Sequence, residues 1–149
     1  MPATFDPVWT PGAGLVVAHD VLGGVFALNG GDPGAAGRPG GPGEVTYFAP
    51  DTLAWEALGA GHSAWLSWIL SGGLRKFCES LRWDGWQDEV SALDAGQGLS
   101  FHPPLWSAEA RRDIRATSRR AVPVAELLGL GRDTSRQLGR ADPGFLGTV

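Results

Sequence analysis

Acid–base chemistry is the reaction class that the side chains of this sequence offer most directly. His19 and Asp20 are adjacent, and Asp51 and His62 follow further along the chain. A histidine and a carboxylate can act as a general base and its orienting acid. Adjacent residues of an extended strand point to opposite faces, so we expect Asp20 to accept backbone N–H groups at a turn instead. Asp20, Asp51 and His62 are the catalytic candidates if the protein is a small hydrolase-type enzyme.

Other catalytic patterns are incomplete. Ser63 does not fit the G-x-S-x-G pattern of a nucleophile elbow, and a helix N-cap role accounts for it. Cys78, the sole cysteine, falls on the apolar face of a predicted helix, where burial raises the pKa of a thiol and suppresses its reactivity. The three histidines lack the HxH or HExxH spacing of metal ligands. We therefore predict no metal site and no cofactor.

Tryptophan offers a second chemistry, which is the stacking of ligands or partner side chains. The chain has seven tryptophans, and six of them fall between Trp55 and Trp106. Each can cover a large apolar area while presenting one N–H donor. The core of a small domain is the more frequent reason for such a cluster, and a binding patch is the alternative. Trp55, Trp65 and Trp83 are the binding candidates.

Charge is distributed unevenly along the chain. The net charge is -4, with -5 in residues 1–74, -2 in residues 75–107 and +3 in residues 108–149. A basic segment can bind an acidic partner or a nucleic acid. Acids interleave with these arginines and aromatic residues are scarce among them, which favours a solvated helical face and disfavours nucleic acid. The acidic N-terminal half could instead meet a basic protein.

The bulk composition is that of one globular domain. A chain of 149 residues can bury a sizeable core, and a single cysteine excludes an intramolecular disulfide. The N-terminus lacks a basic region followed by an apolar run, and no apolar stretch approaches the about 18 residues of a membrane span. We expect a cytoplasmic protein with no membrane contact, and the sequence leaves its oligomeric state open.

Alternation of apolar residues predicts an antiparallel sheet in the N-terminal half. Strands are expected at 14–20, 25–29, 44–50 and 52–58, with Gly23 and Gly24 forming the first reversal. Residues 30–43 hold seven glycines and three prolines, so a mobile loop is expected there. Residues 1–13 are expected to be a flexible leader.

A helical period follows in the second half. Apolar residues repeat over 63–69, 74–81 and 86–93, with Ser63 and Asp84 as N-caps. A strand is expected at 98–102, and a later strand enters a helix at Pro123 that ends before Gly131. Residues 14–139 form the predicted domain and 140–149 a frayed tail. The predicted fold is α+β, with an antiparallel sheet of about four or five strands and helices packed on one face.

Several of these segments resemble a family of uncharacterised bacterial proteins, domain of unknown function 2625. They are HDVLGGVFALNGG, GEVTYFAPDTLAWEALGAGHSAWLSWILSGGLRKFCESLRWDGW, PPLW and SRRAVPVAEL, within residues 14–128. Family members usually carry a further stretch before the first matching strand, so this chain is expected to lack that stretch, and the resemblance leaves open whether it is a complete domain or the C-terminal part of a longer one. It implies no activity and no catalytic residues.

The order of strands, turns and helices is also similar to that of SUKH-type immunity and interaction proteins, although architecture alone does not establish function. The absence of a complete catalytic motif favours a non-catalytic protein-binding domain, with an immunity-like role as one form of it. The alternative is the small hydrolase-type enzyme with a site near Asp20, Asp51 and His62.

Overall fold

A five-stranded antiparallel sheet forms the centre of the fold, in a computed structural model that describes residues 4–5 and 14–149. The strands lie side by side in chain order. They are β1 (Thr4–Phe5), β2 (Gly14–His19), β3 (Val25–Asn29), β4 (Glu44–Ala49) and β5 (Ala54–Gly61). The rest of the expected leader, residues 1–3 and 6–13, lies outside the described residues.

The register of the central strands places two different apolar surfaces back to back. Val25 pairs with Phe48, and Phe26 pairs with Tyr47. Because side chains alternate along a strand, Val25 and Phe48 share one face of the sheet while Phe26 and Tyr47 share the other. All four are buried, so both faces of β3 and β4 belong to the core.

Helices cover both faces of this sheet. Helix α1 (His62–Leu70) and the short helix α2 (Gly73–Phe77) pack on the face of Phe26 and Tyr47. Helix α5 (Val124–Gln137) packs on the opposite face, against Phe48. The α+β class and the antiparallel sheet are confirmed, but the expected one-sided arrangement of the helices is not. Strands buried on both faces need two apolar layers, one on each side.

A smaller two-stranded sheet adjoins the first hairpin. Strand β6 (Gln97–His102) pairs antiparallel with β7 (Ser118–Pro123). Along the chain, helix α3 (Trp86–Ser91) precedes β6, and helix α4 (Ala108–Arg112) lies between β6 and β7. The Leu99 amide donates a 2.7 Å hydrogen bond to the carbonyl oxygen of Val21 in the hairpin turn. Leu22 of the same turn packs into the apolar cluster around Trp83 and Phe101.

Three helix boundaries differ from the sequence-based expectation. Ser63 lies inside α1, whose N-cap is Gly61, because strand β5 runs directly into the helix. Asp84 does not cap α3. The N-cap is Gly85, whose backbone has a left-handed conformation. Helix α5 continues past Gly131 to Gln137, because its buried stripe of Val124, Leu128, Gly131 and Ser135 extends beyond this glycine.

The glycine-rich loop and the C-terminal segment are both tied to the sheet. The Asn29 side-chain amide donates hydrogen bonds to the carbonyl oxygens of Pro39 and Gly41, and the Glu44 carboxylate accepts one from the Gly41 amide. In the segment 140–149, expected to fray, Leu146 is buried among core residues. Its carbonyl oxygen lies 2.7 Å from Nε2 of His19, a contact between residues 127 positions apart.

Candidate functional site

The first catalytic candidate, Asp20, is engaged in a turn. Its Oδ1 accepts hydrogen bonds from the backbone amides of Leu22 and Gly24, at 2.9 and 2.8 Å. Its Oδ2 accepts a third hydrogen bond, 2.6 Å long, from the hydroxyl of Tyr47 on β4. Asp20 therefore holds the β2–β3 reversal closed, as the sequence predicts, and also fastens it to the neighbouring strand.

Burial and acidic neighbours govern the electrostatics around Tyr47. Burial, and then the Asp20 carboxylate, raise the pKa of the Tyr47 phenol far above its usual range. Burial, followed by Asp20, likewise raises the pKa of the Cys78 thiol to about 11. Asp51 contributes to both shifts, so the second catalytic candidate lies in the same neighbourhood. Near neutral pH the phenol and the thiol both keep their protons, which leaves no activated nucleophile here.

The third catalytic candidate, His62, lies at the other end of the sheet. His62 follows Gly61, which pairs with Glu44 at the start of β4. Asp20 lies at the other end of β4, because it pairs with Gly24, next to the Val25–Phe48 pair. Four residues of strand separate these positions, which is roughly 13 Å. His62 packs beside the ring of Trp65 instead. The structure therefore brings Asp20 and Asp51 towards Tyr47 and leaves His62 apart.

The binding candidates Trp55, Trp65 and Trp83 make internal contacts. The Trp55 indole donates a 3.1 Å hydrogen bond to the carbonyl oxygen of Pro143 and packs against Phe48. Trp65 is buried between α1 and the sheet, where its ring lies 5.3 Å from Phe26. Trp83 is also buried, and its indole donates a 2.8 Å hydrogen bond to the Glu89 carboxylate.

A side of Trp55 borders a cleft of about 550 Å³ beneath the C-terminal segment. The Arg38 guanidinium lies 5.1 Å from the centre of the Trp55 ring. Of the three tryptophans, Trp55 is the one that is only partly buried, while Trp65 and Trp83 are buried in the core.

The most exposed apolar surface in the described part of the chain lies on α1. Of its nine residues, only Trp65 is buried. Leu70 is 79% exposed and Leu66 is 42% exposed, and the helix contains no Asp, Glu, Lys or Arg. We call the outward side of this helix the α1 face, and it consists of Ser63, Ala64, Leu66, Ser67 and Leu70.

Sequence reasoning did not single out this face, although a signal was present. The period that predicts α1 rests on Ala64, Trp65, Trp68 and Ile69, and leaves Leu66 and Leu70 outside the apolar stripe. A surface helix normally carries charged residues on its outer side. The outward leucines make this face a candidate interaction surface.

The described residues hold no cluster of three or more His, Cys, Asp or Glu side chains that could bind a metal ion. Among the same residues, no helix combines the length and the apolar character needed to cross a membrane.

The antiparallel sheet with helices on both of its faces defines an α+β domain. By sequence, the chain belongs to the family described as "Protein of unknown function DUF2625", which it matches over residues 2–127. This agrees with the family resemblance of the motifs.

Two curated relatives are themselves uncharacterised. The chain is 45% identical over 115 residues to "Putative uncharacterized protein YbfG" of Escherichia coli K12, a match that covers 76% of this chain and 48% of the relative. It is 40% identical over 91 residues to an uncharacterised protein of Haemophilus influenzae, covering 61% and 38% respectively. The aligned segment thus spans less than half the length of either relative. No solved structure matches the chain.

Proposed function

We propose that this chain is a non-catalytic protein-binding domain and that its partner on the α1 face is a second copy of the chain. The observation that carries the proposal is the exposure of Leu66 and Leu70 on a helix without charged residues. Exposed leucines on an uncharged face are typical of a surface that is covered in the assembled protein.

The chemistry of the α1 face favours self-association over a charged partner. Because the helix carries no Asp, Glu, Lys or Arg, two copies can meet about a two-fold axis without like-charge repulsion. A strongly charged partner would find no complementary charge on this helix.

The shape of the α1 face is also self-complementary. At 100° per residue, Leu66 and Leu70 form one flank of the outward side, while Ser63, Ala64 and Ser67 form the remainder. In an antiparallel pair of helices, the leucines of each copy can pack on the small residues of the other. Such knob-and-groove contacts allow helices to approach closely.

Helix packing explains the surface better than strand pairing does. Strand β5 is the last strand of the sheet, and none of its residues is buried. Its register with β4 is interrupted between Ala57 and Gly61, and Gly59 between them has a φ of 68°. An irregularity of this kind blunts a sheet edge against pairing with another chain.

The size of the α1 face predicts a weak dimer. A helix of nine residues is about 14 Å long, so the interface is smaller than the roughly 800 Å² per partner of a standard one. We therefore expect a dissociation constant between about 1 μM and 1 mM.

Sedimentation equilibrium over this concentration range tests the proposal. The apparent mass should rise from the 15.6 kDa of the monomer towards twice that value as the concentration increases. Leu66→Ser combined with Leu70→Ser should keep the chain monomeric. Leu138→Ser is the matched control, because Leu138 is 55% exposed at the end of a different helix and its loss should leave association unchanged.

A monomer at every concentration, or equal effects of the α1 and Leu138 variants, would contradict the proposal. An immunity-like role would place a different protein on the same face. Its signature would be a chain that stays monomeric alone and forms a stoichiometric complex that the α1 variants abolish, and this outcome would replace the second copy as the occupant.

A further inference from the structure

A group of cationic side chains lies around Trp86. Two clefts of about 490 and 750 Å³ adjoin there and share Arg82 and Trp86 in their walls. Their lining includes five cationic side chains that make no ion pair with any described residue. These are Arg75, Lys76, Arg82, Arg111 and Arg112.

Arginines elsewhere on the surface are commonly neutralised by a carboxylate. Arg120 lies 3.5 Å from Glu126, and Arg136 lies 2.7 Å from Asp142. Within the clefts, Arg115 is similarly paired with Asp113. The five remaining cations are therefore distinguished both by their position and by their lack of a carboxylate partner within the described residues.

Arg82 is held in a fixed orientation at the junction of the two clefts. Its guanidinium carbon lies 3.9 Å from the centre of the Trp86 ring. Stacking on an aromatic face leaves the edge of a guanidinium free to donate parallel hydrogen bonds to a carboxylate. Arg111 is also positioned by the protein, because its guanidinium donates a 2.8 Å hydrogen bond to the carbonyl oxygen of Trp106. Part of the entropic cost of binding an anion is thus already met.

We propose that these joined clefts bind an acidic polypeptide segment, with Arg82, Arg111 and Arg112 receiving its carboxylates. The clefts also contain Glu79 and Asp84, so the positive charge is divided into separate spots. Carboxylates spaced along a peptide can match such spots. This inference is independent of the dimer proposed above, because it involves none of the residues of the α1 face.

A nucleic acid fits the same surface less well. Trp86 already has Arg82 stacked on its ring, and the other tryptophan of the clefts, Trp83, is buried. Binding of single strands relies on several free aromatic faces.

Fluorescence anisotropy with the whole chain tests this inference. The probe is a fluorescein-labelled peptide of glutamates long enough to span both clefts, compared with an oligothymidylate and a neutral Gly-Ser peptide of equal length. The glutamate peptide should bind, and added salt should weaken its binding. Arg111→Gln combined with Arg112→Gln should raise its dissociation constant about tenfold, as expected for the loss of two exposed charge contacts.

The matched control is Arg120→Gln combined with Arg136→Gln, which removes the same net charge from paired surface arginines and should change the constant less than about twofold. Three outcomes would overturn the inference: no binding of the glutamate peptide, equal effects of the two double variants, or tighter binding of the oligothymidylate at the same residues. The last outcome would assign the clefts to nucleic acid. Because the mass measurements on the α1 variants do not involve these arginines, failure here leaves the proposed dimer untouched.

Discussion

The hydroxyl of Tyr47 donates a 2.6 Å hydrogen bond to Oδ2 of Asp20, joining residues 27 positions apart in the chain. The other carboxylate oxygen, Oδ1, accepts hydrogen bonds from the backbone amides of Leu22 and Gly24. A single carboxylate thus closes the β2–β3 turn and fastens it to β4. The same turn carries Val21 and Leu22 into contact with the second sheet, so Asp20 connects the two halves of the fold.

Tyr47 should remain protonated well above the pH at which a free tyrosine ionises. Burial and the Asp20 carboxylate raise its pKa in the folded state, while the unfolded chain ionises near about pH 10. The folded state therefore loses stability as the pH rises above about 10, because only the unfolded state releases the proton. Tyr47 is the sole tyrosine, so absorbance at the phenolate band reports on it alone.

The expected result of this alkaline titration is that phenolate absorbance appears only together with the loss of secondary structure, followed by circular dichroism. Phenolate formation near pH 10 in a chain that is still folded would contradict the geometry of the Asp20–Tyr47 contact.

Gly24→Ala should destabilise the fold, because a β-carbon at this position would overlap both Oδ2 of Asp20 and the phenol of Tyr47. Tyr47 is buried and cannot move aside, so we expect a loss of about 1–3 kcal/mol in urea unfolding. Gly129→Ala is the matched control. Gly129 lies within α5 with open space around it, and alanine there should stabilise the helix by about 0.5–1 kcal/mol. Equal effects of the two substitutions would rule out the crowding.

Local patterns are sufficient to predict β2, β3, β4 and the first turn, but not β1, which lies in the expected leader. A short apolar run predicts β3 and alternation predicts β4, and the position of Asp20 at the end of a strand, before two glycines, indicates its turn role. What alternation could not show is that both faces of these strands are covered, because the covering residues of α5 lie about a hundred positions away. Gly131 illustrates the difficulty, since a glycine that the local pattern interprets as a helix stop lies within the buried stripe of α5 instead.

In the candidate site too, local sequence predicts some contacts and only the tertiary structure shows the others. The role of Asp20 follows from neighbouring residues, whereas its partner Tyr47 is identified only by strand pairing. Residue type alone groups His62 with Asp20 and Asp51, whereas the register of β4 places His62 and Asp20 at opposite ends of that strand. The C-terminal contacts of Leu146 with His19 depend on tertiary packing across 127 residues, which no local signal carries.

Arg119→Gln should lower stability and flatten its dependence on acid. Arg119 donates hydrogen bonds of 2.8 and 2.9 Å to the two carboxylate oxygens of Glu89, and its guanidinium lies 4.6 Å from the centre of the Trp83 ring. This contact lowers the pKa of Glu89 in the folded state. The stabilisation is therefore fully present above the pKa that Glu89 has in the unfolded chain, about 4.3, and is lost as the pH falls through the lower pKa of Glu89 in the folded chain.

We expect urea unfolding near neutral pH to show a loss of about 1–3 kcal/mol for Arg119→Gln, since a partly buried charged hydrogen bond is removed. Between about pH 5 and pH 3 the difference from the unsubstituted chain should shrink. Arg120→Gln serves as the control, because its contact with Glu126 is exposed on both sides. A difference that stays constant with pH would exclude the Glu89 contact as its source.

Self-association through α1 is tested most directly by cross-linking at the centre of its exposed side. Ser67→Cys in a Cys78→Ser background places one thiol there, and a two-fold antiparallel helix pair brings the two copies of position 67 close enough for a disulfide. Ala125→Cys in the same background is the control, since Ala125 is exposed on α5. Mild oxidation should convert the Ser67→Cys chain to a covalent dimer, and Leu66→Ser with Leu70→Ser should suppress this. Cross-linking no faster than that of the Ala125→Cys chain would contradict the proposed interface.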